Sequence, residues 1–494
     1  MTHDPKRSPQ APPTPPDDDG GDGTGGGGEG GDDGGGGDGG LFSGAYAAAT
    51  YSFAAVMFLT GLAALAVIPT LPTAARDLDG VALFPLVAGC FVAASLLGGV
   101  LGGHWADRAG APRPLAAGMA LAVVTLLVSG ASTSIWQLAA GRFLDGLAAG
   151  MVAVAINTAI GQAYPERLRP RALALMSTCW IVPSLIGPPL AGLVVEWWSW
   201  REMFFGLAAL TAVPALIVVA QLRGGSWSPE PRPSSGEPSA TGAARPPLLI
   251  ATAVSIGAAL GQYGVSGWDA RHLLFAVAGF ALLAVFAPRL LPPGTWRAAR
   301  GLPVTVLLRG LASGVFFTLE ALVPLMLVTG RDVSPPAIGL AFTGAALAWA
   351  AASWVQGRLE SCPRERLVVA GALVMVAAVA PAVVGAHPSM PSPVAGSSMV
   401  VAALGMGLLA PAVTVLSLAH SPADRLGHAS SAMQTSQNLG QIAVLGLASA
   451  LFNLLAQGGA SDTAGYATAF ALLLLPCALL ALLASRARRG ASER

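Results

Sequence analysis

From about Tyr46 to about Ala484 the chain is a succession of apolar runs, each about 18 to 28 residues long, separated by short polar stretches. A bilayer core about 30 Å thick is crossed by a helix of about 20 apolar residues, and no water is there to satisfy an irregular backbone. The runs lie near 45–70, 81–103, 114–131, 136–162, 172–195, 203–221, 247–264, 272–291, 302–328, 336–356, 366–386, 394–419, 428–455 and 465–485. Fourteen membrane-spanning helices are therefore expected. Composition agrees, since 54% of the 494 residues are apolar and only 11% are charged. A soluble domain carries about 25% charged residues, so a soluble enzyme, a disulfide scaffold and a nucleic-acid binder are all excluded as expectations.

The charges that exist are unevenly placed. Nine of the 26 acids and 15 of the 62 glycines fall within the first 40 residues. That stretch cannot bury a core and is expected to be a disordered cytoplasmic tail, 1–42; its early positive charge is followed by no apolar signal-peptide region. A Pro/Ser/Gly-rich stretch, 223–246, reads as a linker. With the N-terminus inside, 19 arginines fall in inner loops and tails and four in outer loops, namely Arg76, Arg201, Arg271 and Arg331. This bias places both termini in the cytoplasm. Deleting one helix of the pair 247–264 and 272–291 would invert every later loop, so the number of spans must be even: fourteen with the pair, twelve without it. Trp197, Trp198 and Trp200 sit where an outer aromatic belt belongs. Cys90, Cys179, Cys362 and Cys477 show neither pairing nor metal spacing and read as small core residues.

The loop after the second run reads Gly102-Gly103-His104-Trp105-Ala106-Asp107-Arg108-Ala109-Gly110. Its small residues let helices approach closely, and an acid at a helix end can pair with arginine or cap a neighbouring helix. The pattern Gly-x-x-x-Asp-Arg-x-Gly resembles the cytoplasmic loop signature of the major facilitator superfamily. In the fourth run, Arg142-Phe143-Leu144-Asp145-Gly146 resembles that family's Arg-x-x-x-Gly motif. In the fifth, Gly187-Pro188-Pro189-Leu190-Ala191-Gly192 resembles its antiporter motif, with Ala191 where the family often has glycine. Gly357-Arg358-Leu359-Glu360-Ser361 stands where a second copy of the loop signature belongs, with Ser361 in place of the acid. Ala111 and Pro112 stand where the family usually has further basic residues, and the first run lacks the acid that 14-span drug:proton antiporters often carry there.

The resemblance implies an all-α polytopic membrane protein: two six-helix bundles related by pseudo-two-fold symmetry, 43–222 and 301–486, with a two-helix insert at 247–292 and a basic tail at 487–494. It is similar in layout to the 14-span drug:proton antiporters. On that resemblance Gly103, Asp107, Arg108, Gly110, Gly187, Pro188 and Gly192 would serve gating.

Ionisable groups inside a span cost about 2.5–3.5 kcal/mol on insertion scales. Four lie well inside: Arg142, Asp145, Arg309 and Glu320. Arg142 and Asp145 are three residues apart and share a helix face. They form either a self-satisfied pair that fixes packing or a pair beside the translocation cavity, where protonating Asp145 would free Arg142. Glu320 has no charged neighbour in its own turn, and Arg309 is about 16 Å along the helix. A carboxyl in low dielectric takes up a proton readily, so Glu320 is the first candidate for proton coupling, or else a structural hydrogen-bonding glutamate. Pro324, one turn later, can open the helix into a hinge. Ser430, Gln434, Gln437 and Gln441 form a polar stripe on one face of the thirteenth run. The stripe either lines a substrate cavity with Arg309 or makes interhelical hydrogen bonds.

No phosphate loop, His-Glu-x-x-His or Cys-x-x-Cys is present in the sequence. No cofactor, metal, ATP or nucleic acid is expected, and neither is enzymatic activity. The expected partners are a small-molecule substrate, protons and the lipid bilayer, with the chain acting as a monomer in a bacterial cytoplasmic membrane. The resemblance implies export of drugs or other amphipathic molecules in exchange for protons. The alternatives are a proton-coupled symporter for a nutrient or metabolite, and a lipid-handling or non-transporting membrane protein.

Overall fold

The structure, a computed structural model, describes residues 41–43, 46–165, 168–223, 248–359, 362–421, 426–457 and 462–487. Most of the acidic tail, the linker from 224 onward, Arg167, Glu360, Ser361, Arg425 and the basic end 488–494 lie outside them. Among the described residues all regular structure is helical, without strands.

Among the described residues six helices precede the linker: α1 (Ala47–Asp77), α2 (Val81–Ala109), α3 (Pro112–Gly130), α4 (Ile135–Ala163), α5 (Arg169–Trp197) and α6 (Trp200–Arg223). Two follow it, α7 (Leu248–Gly264) and α8 (Ala270–Leu290). Six more complete the chain: α9 (Leu302–Arg331), α10 (Pro335–Arg358), α11 (Arg364–Gly385), α12 (Ser392–Ala419), α13 (Leu426–Gln457) and α14 (Asp462–Ala487). Among the described residues thirteen helices are long and apolar enough to cross a membrane; α7, at 17 residues, is the shorter apolar helix that makes fourteen. Helix α1 runs further than the expected 45–70. It passes through a tight 3-10 turn at Ile68–Thr70 and continues to Asp77, carrying Arg76 on the helix instead of in a loop. Helix α14 is interrupted at Leu473. Pro476 has no N–H to give to the carbonyl four residues back, which accounts for the break.

The two sets of six pack by one scheme. Helix α2 lies on α4, α3 on α4 and α6, and α1 on α5 and α6. In the second set α10 lies on α12, α11 on α12 and α14, and α9 on α13 and α14. Advancing every label by eight turns one scheme into the other, which is the pseudo-symmetry of an internal repeat. The sets meet through α5 with α10, α2 with α13, and α1 with α9, pairings that the same operation exchanges. The hairpin α7–α8 sits beside α2, and α7 also touches α13.

Small residues make these packings close. A side chain at Gly98, Gly146 or Gly150 would drive its Cβ to about 2 Å from a backbone oxygen of the facing helix in the α2–α4 pair. In α9–α13, Gly310 meets Ser436 and Gly440 meets Gly310 in the same way, and Ser436 Oγ donates to the Val306 carbonyl at 2.7 Å. Dispersion and interhelical hydrogen bonds hold helices together where no hydrophobic effect acts between them.

One part of the expected aromatic belt is corrected. Trp197 and Trp198 are 66% and 69% exposed, but Trp200 is only 3% exposed. Its indole Nε1 donates to Asp77 at 3.0 Å, so the ring is packed inside and pins the end of α1 to the start of α6. Arg201 adds a second contact to the same carboxylate at 2.8 Å.

Candidate functional site

Arg142 and Asp145 lie on α4, whose N-terminus is capped by the Ser134 hydroxyl accepting from the Gln137 N–H. Arg142 Nη1 donates to Asp145 Oδ2 at 2.5 Å, and the guanidinium stacks 4.4 Å above the Phe91 ring of α2. Arg142 is buried, and its Nε has no hydrogen-bond partner among the described residues. Asp145 lines a small cavity of about 30 Å³ inside the first bundle, together with Thr60, Phe91, Met119 and Thr211. The space is enough for about two waters. The Thr211 hydroxyl, also buried, has no protein partner. Asp145, and not Arg142, therefore borders this space inside the bundle.

Glu320 lies in mid-α9, half-buried, one turn before Pro324, through which the helix continues to Arg331. No hydrogen bond or ion pair engages its carboxylate among the described residues. On the same face one turn earlier, Phe316 packs edge-on against Trp349 of α10 at 5.1 Å and against Phe317 at 5.1 Å. Arg309, three turns before Glu320, donates from Nε and Nη2 to the Gln437 amide oxygen on α13 at 3.0 and 2.6 Å.

The polar stripe on α13 divides. Gln437 holds Arg309, exposed Gln434 bonds Asn438 within its own helix at 3.2 Å, and Gln441 is half-buried. Ser430 is exposed. Ser436 and Gly440, which the stripe did not include, form the face packed on α9.

The loop signature ends α2. Gly103 is buried, Asp107 and Arg108 are exposed, and Gly110 takes φ +79° to leave the helix. The antiporter-like segment of α5 is where the bundles come closest. A Cβ on Gly192 would stand 2.6 Å from the Pro335 carbonyl oxygen, and one on Gly339 would stand 2.5 Å from that of Pro188. Gly187 rests on Leu62 and Ala66 of α1. Beside them Arg76 reaches from α1 to α9, donating to the Val328 carbonyl at 3.0 Å and pairing with Asp332 at 2.7 Å. These contacts occupy the end of the spans that carries Trp197 and Trp198, opposite the Asp107 loop.

Sequence reasoning missed Gln262. This lone amide of α7 donates to the Ile442 carbonyl of α13 at 2.8 Å and lies against Gly89 of α2. Ser255 of α7 donates to the Ala93 carbonyl of α2 at 2.6 Å, and Asn453 of α13 to the Val265 carbonyl at 3.0 Å. Polar side chains inside the run 247–264 were the available signal.

The repeated six-helix arrangement and the motif positions define a class, and comparison with known proteins agrees. Residues 53–445 match the profile of the Major Facilitator Superfamily. The chain belongs to that family. It is 30% identical over 321 residues to a "Probable multidrug-efflux transporter" of Mycobacterium tuberculosis, covering 63% of this chain and 65% of that protein. It is 27% identical over 233 residues to "Multidrug resistance protein 1" of Bacillus subtilis, covering 46% and 58%. The chain thus spans less than two thirds of the length of these curated relatives. Among solved structures, a POT family transporter in complex with 5-aminolevulinic acid superposes with a TM-score of 0.66 at 15% identity, covering 90% of this chain and 97% of that one. A peptide transporter POT in complex with sulfate gives 0.63 at 16%, covering 89% and 96%. These likenesses concern the fold.

Proposed function

We propose that the protein is a secondary active transporter of a bacterial cytoplasmic membrane, exporting drugs or other small amphipathic molecules in exchange for protons by alternating access. It works as a monomer, without ATP, with both termini in the cytoplasm. The observation that carries the coupling is Glu320, a half-buried carboxyl in mid-span that nothing among the described residues engages. A charge in that position costs free energy unless it titrates or meets a ligand. Proton uptake at Glu320 from outside displaces substrate, and release inside resets the site. Asp145 serves as a second proton site whose protonation frees Arg142. The relatives' names support drug export, and the arginine bias supports the orientation. With the Asp107 loop inside, the contacts at Gly192, Gly339 and Arg76 close the outer end, which is the arrangement of an inward-facing state. Asp107, Arg108, Gly103 and Gly110 close the inner end in the opposite state.

Inside-out vesicles with an acidified lumen test this reading. Added substrate should release lumenal protons, and Glu320→Gln should abolish that release while leaving the protein folded. Under symport, substrate would not release lumenal protons. A non-transporting or lipid-handling protein would leave drug accumulation in cells unchanged by Glu320→Gln.

A further inference from the structure

We propose that Arg309 is the head-group subsite for an organic anion, an inference that rests on the transporter reading above and names the substrate's charge. Arginine presents five N–H donors in a planar fork. Two of them, on Nε and Nη2, converge on the Gln437 amide oxygen. That oxygen carries no charge, so the cation inside the span is held in place but not neutralised. Among the described residues no carboxylate pairs with it. Asp145 is taken by Arg142 in the other bundle, and Glu320 is eleven residues along α9, about 16 Å away at helical rise. Gln437 fixes one edge of the guanidinium, and Nη1 has no protein partner among the described residues. The free part of the fork suits a carboxylate, sulfonate or phosphate, which such forks bind bidentately. Seven residues along the same face, about 10 Å away, Phe316 and Trp349 pack edge-on at 5.1 Å. The occupant is an amphipathic anion, its head at Arg309 and its apolar body reaching toward this aromatic pair.

The test uses the full chain in phosphatidylcholine nanodiscs with a matched pair of probes, 4-phenylbutyrate and 4-phenylbutylamine, titrated calorimetrically. Phenylbutyrate should bind more tightly than the amine, and Arg309→Gln should weaken it by about tenfold or more without moving the amine. Gln437→Ala, which releases the fork but keeps its charge, should weaken the anion severalfold and serves as well if Arg309→Gln does not fold. Adding phosphatidylglycerol separates two sources of the same chemistry. Competition with phenylbutyrate identifies a lipid phosphate as an occupant, and its absence identifies a free organic anion. Equal binding of both probes, or phenylbutyrate binding untouched by both variants, overturns the proposal. Proton release from proteoliposomes is followed in parallel. Release that depends on Glu320 but ignores Arg309 removes only this proposal, whereas anion binding at Arg309 without any proton movement removes only the antiport reading.

Discussion

A guanidinium and a carboxylate three residues apart on α4 satisfy each other at 2.5 Å where neither could be hydrated freely. Removing one partner of a buried pair strands the other and costs about 3–5 kcal/mol, whereas removing both leaves nothing stranded. Asp145→Asn and Arg142→Met should each lower the thermal unfolding midpoint in detergent. Arg142→Met with Asp145→Leu should recover most of the loss. A double variant as unstable as the two losses added together would show that the two groups are not energetically coupled, and would remove the reading in which protonating Asp145 frees Arg142. The spacing alone made this pair legible in the sequence, because three residues on a helix leave little choice of geometry. Arg309 was legible as a cost and as a companion of the α13 stripe, but not as the partner of one particular glutamine. Its partner Gln437 is 128 residues away, and nothing local in the sequence links the two.

Helix boundaries were readable because lipid permits little else, and most expected spans coincide with helices to within a few residues. The exceptions trace to particular side chains. Pro69 and Pro72 tighten the end of α1 without stopping it. Trp200 looked like a belt residue until Asp77 claimed its N–H. Which small residues face each other was not readable, since glycine is common throughout the chain. Two glycines, one inside the α9–α13 contact and one outside it, should behave oppositely. Gly440→Val must displace the Gly310 backbone, which stands 2.0 Å from the added Cβ, and should lower the yield of folded protein and its unfolding midpoint sharply. Gly330→Ala, exposed on the last turn of α9 with nothing within 4 Å, should gain about 0.5–1 kcal/mol by restricting the unfolded chain. Equal behaviour of the two variants in thermal unfolding would remove close packing as the cause.

At the scale of the whole molecule, the two sets of six meet most tightly along α5 and α10. Cysteines at Arg76 and Asp332, built in a background lacking the four native cysteines, should be joined by a short cleavable bis-thiol linker, since the native side chains bridge α1 and α9 at 2.7 Å. Transport in proteoliposomes should stop on cross-linking and return when the linker is cleaved by reduction. Unimpaired transport by the fully cross-linked protein would show that this end need not open. The native Arg76–Asp332 pair is largely exposed, so Arg76→Ala should change stability by less than about 1 kcal/mol.

Helix α7 gives the molecule an unequal pair of flanks. One seam between the bundles, α5 with α10, carries no added helix; the other, α2 with α13, has the insert hydrogen-bonded to both sides through Ser255 and Gln262. If the bundles rock, the insert cannot keep both attachments. Its broad contact with α2 makes it ride with the first bundle, so the bonds from Gln262 to Ile442 and from Asn453 to Val265 are the ones that must part and re-form on each cycle. Those two amides then act as friction points at the moving seam, setting how fast the cycle turns instead of what the protein carries.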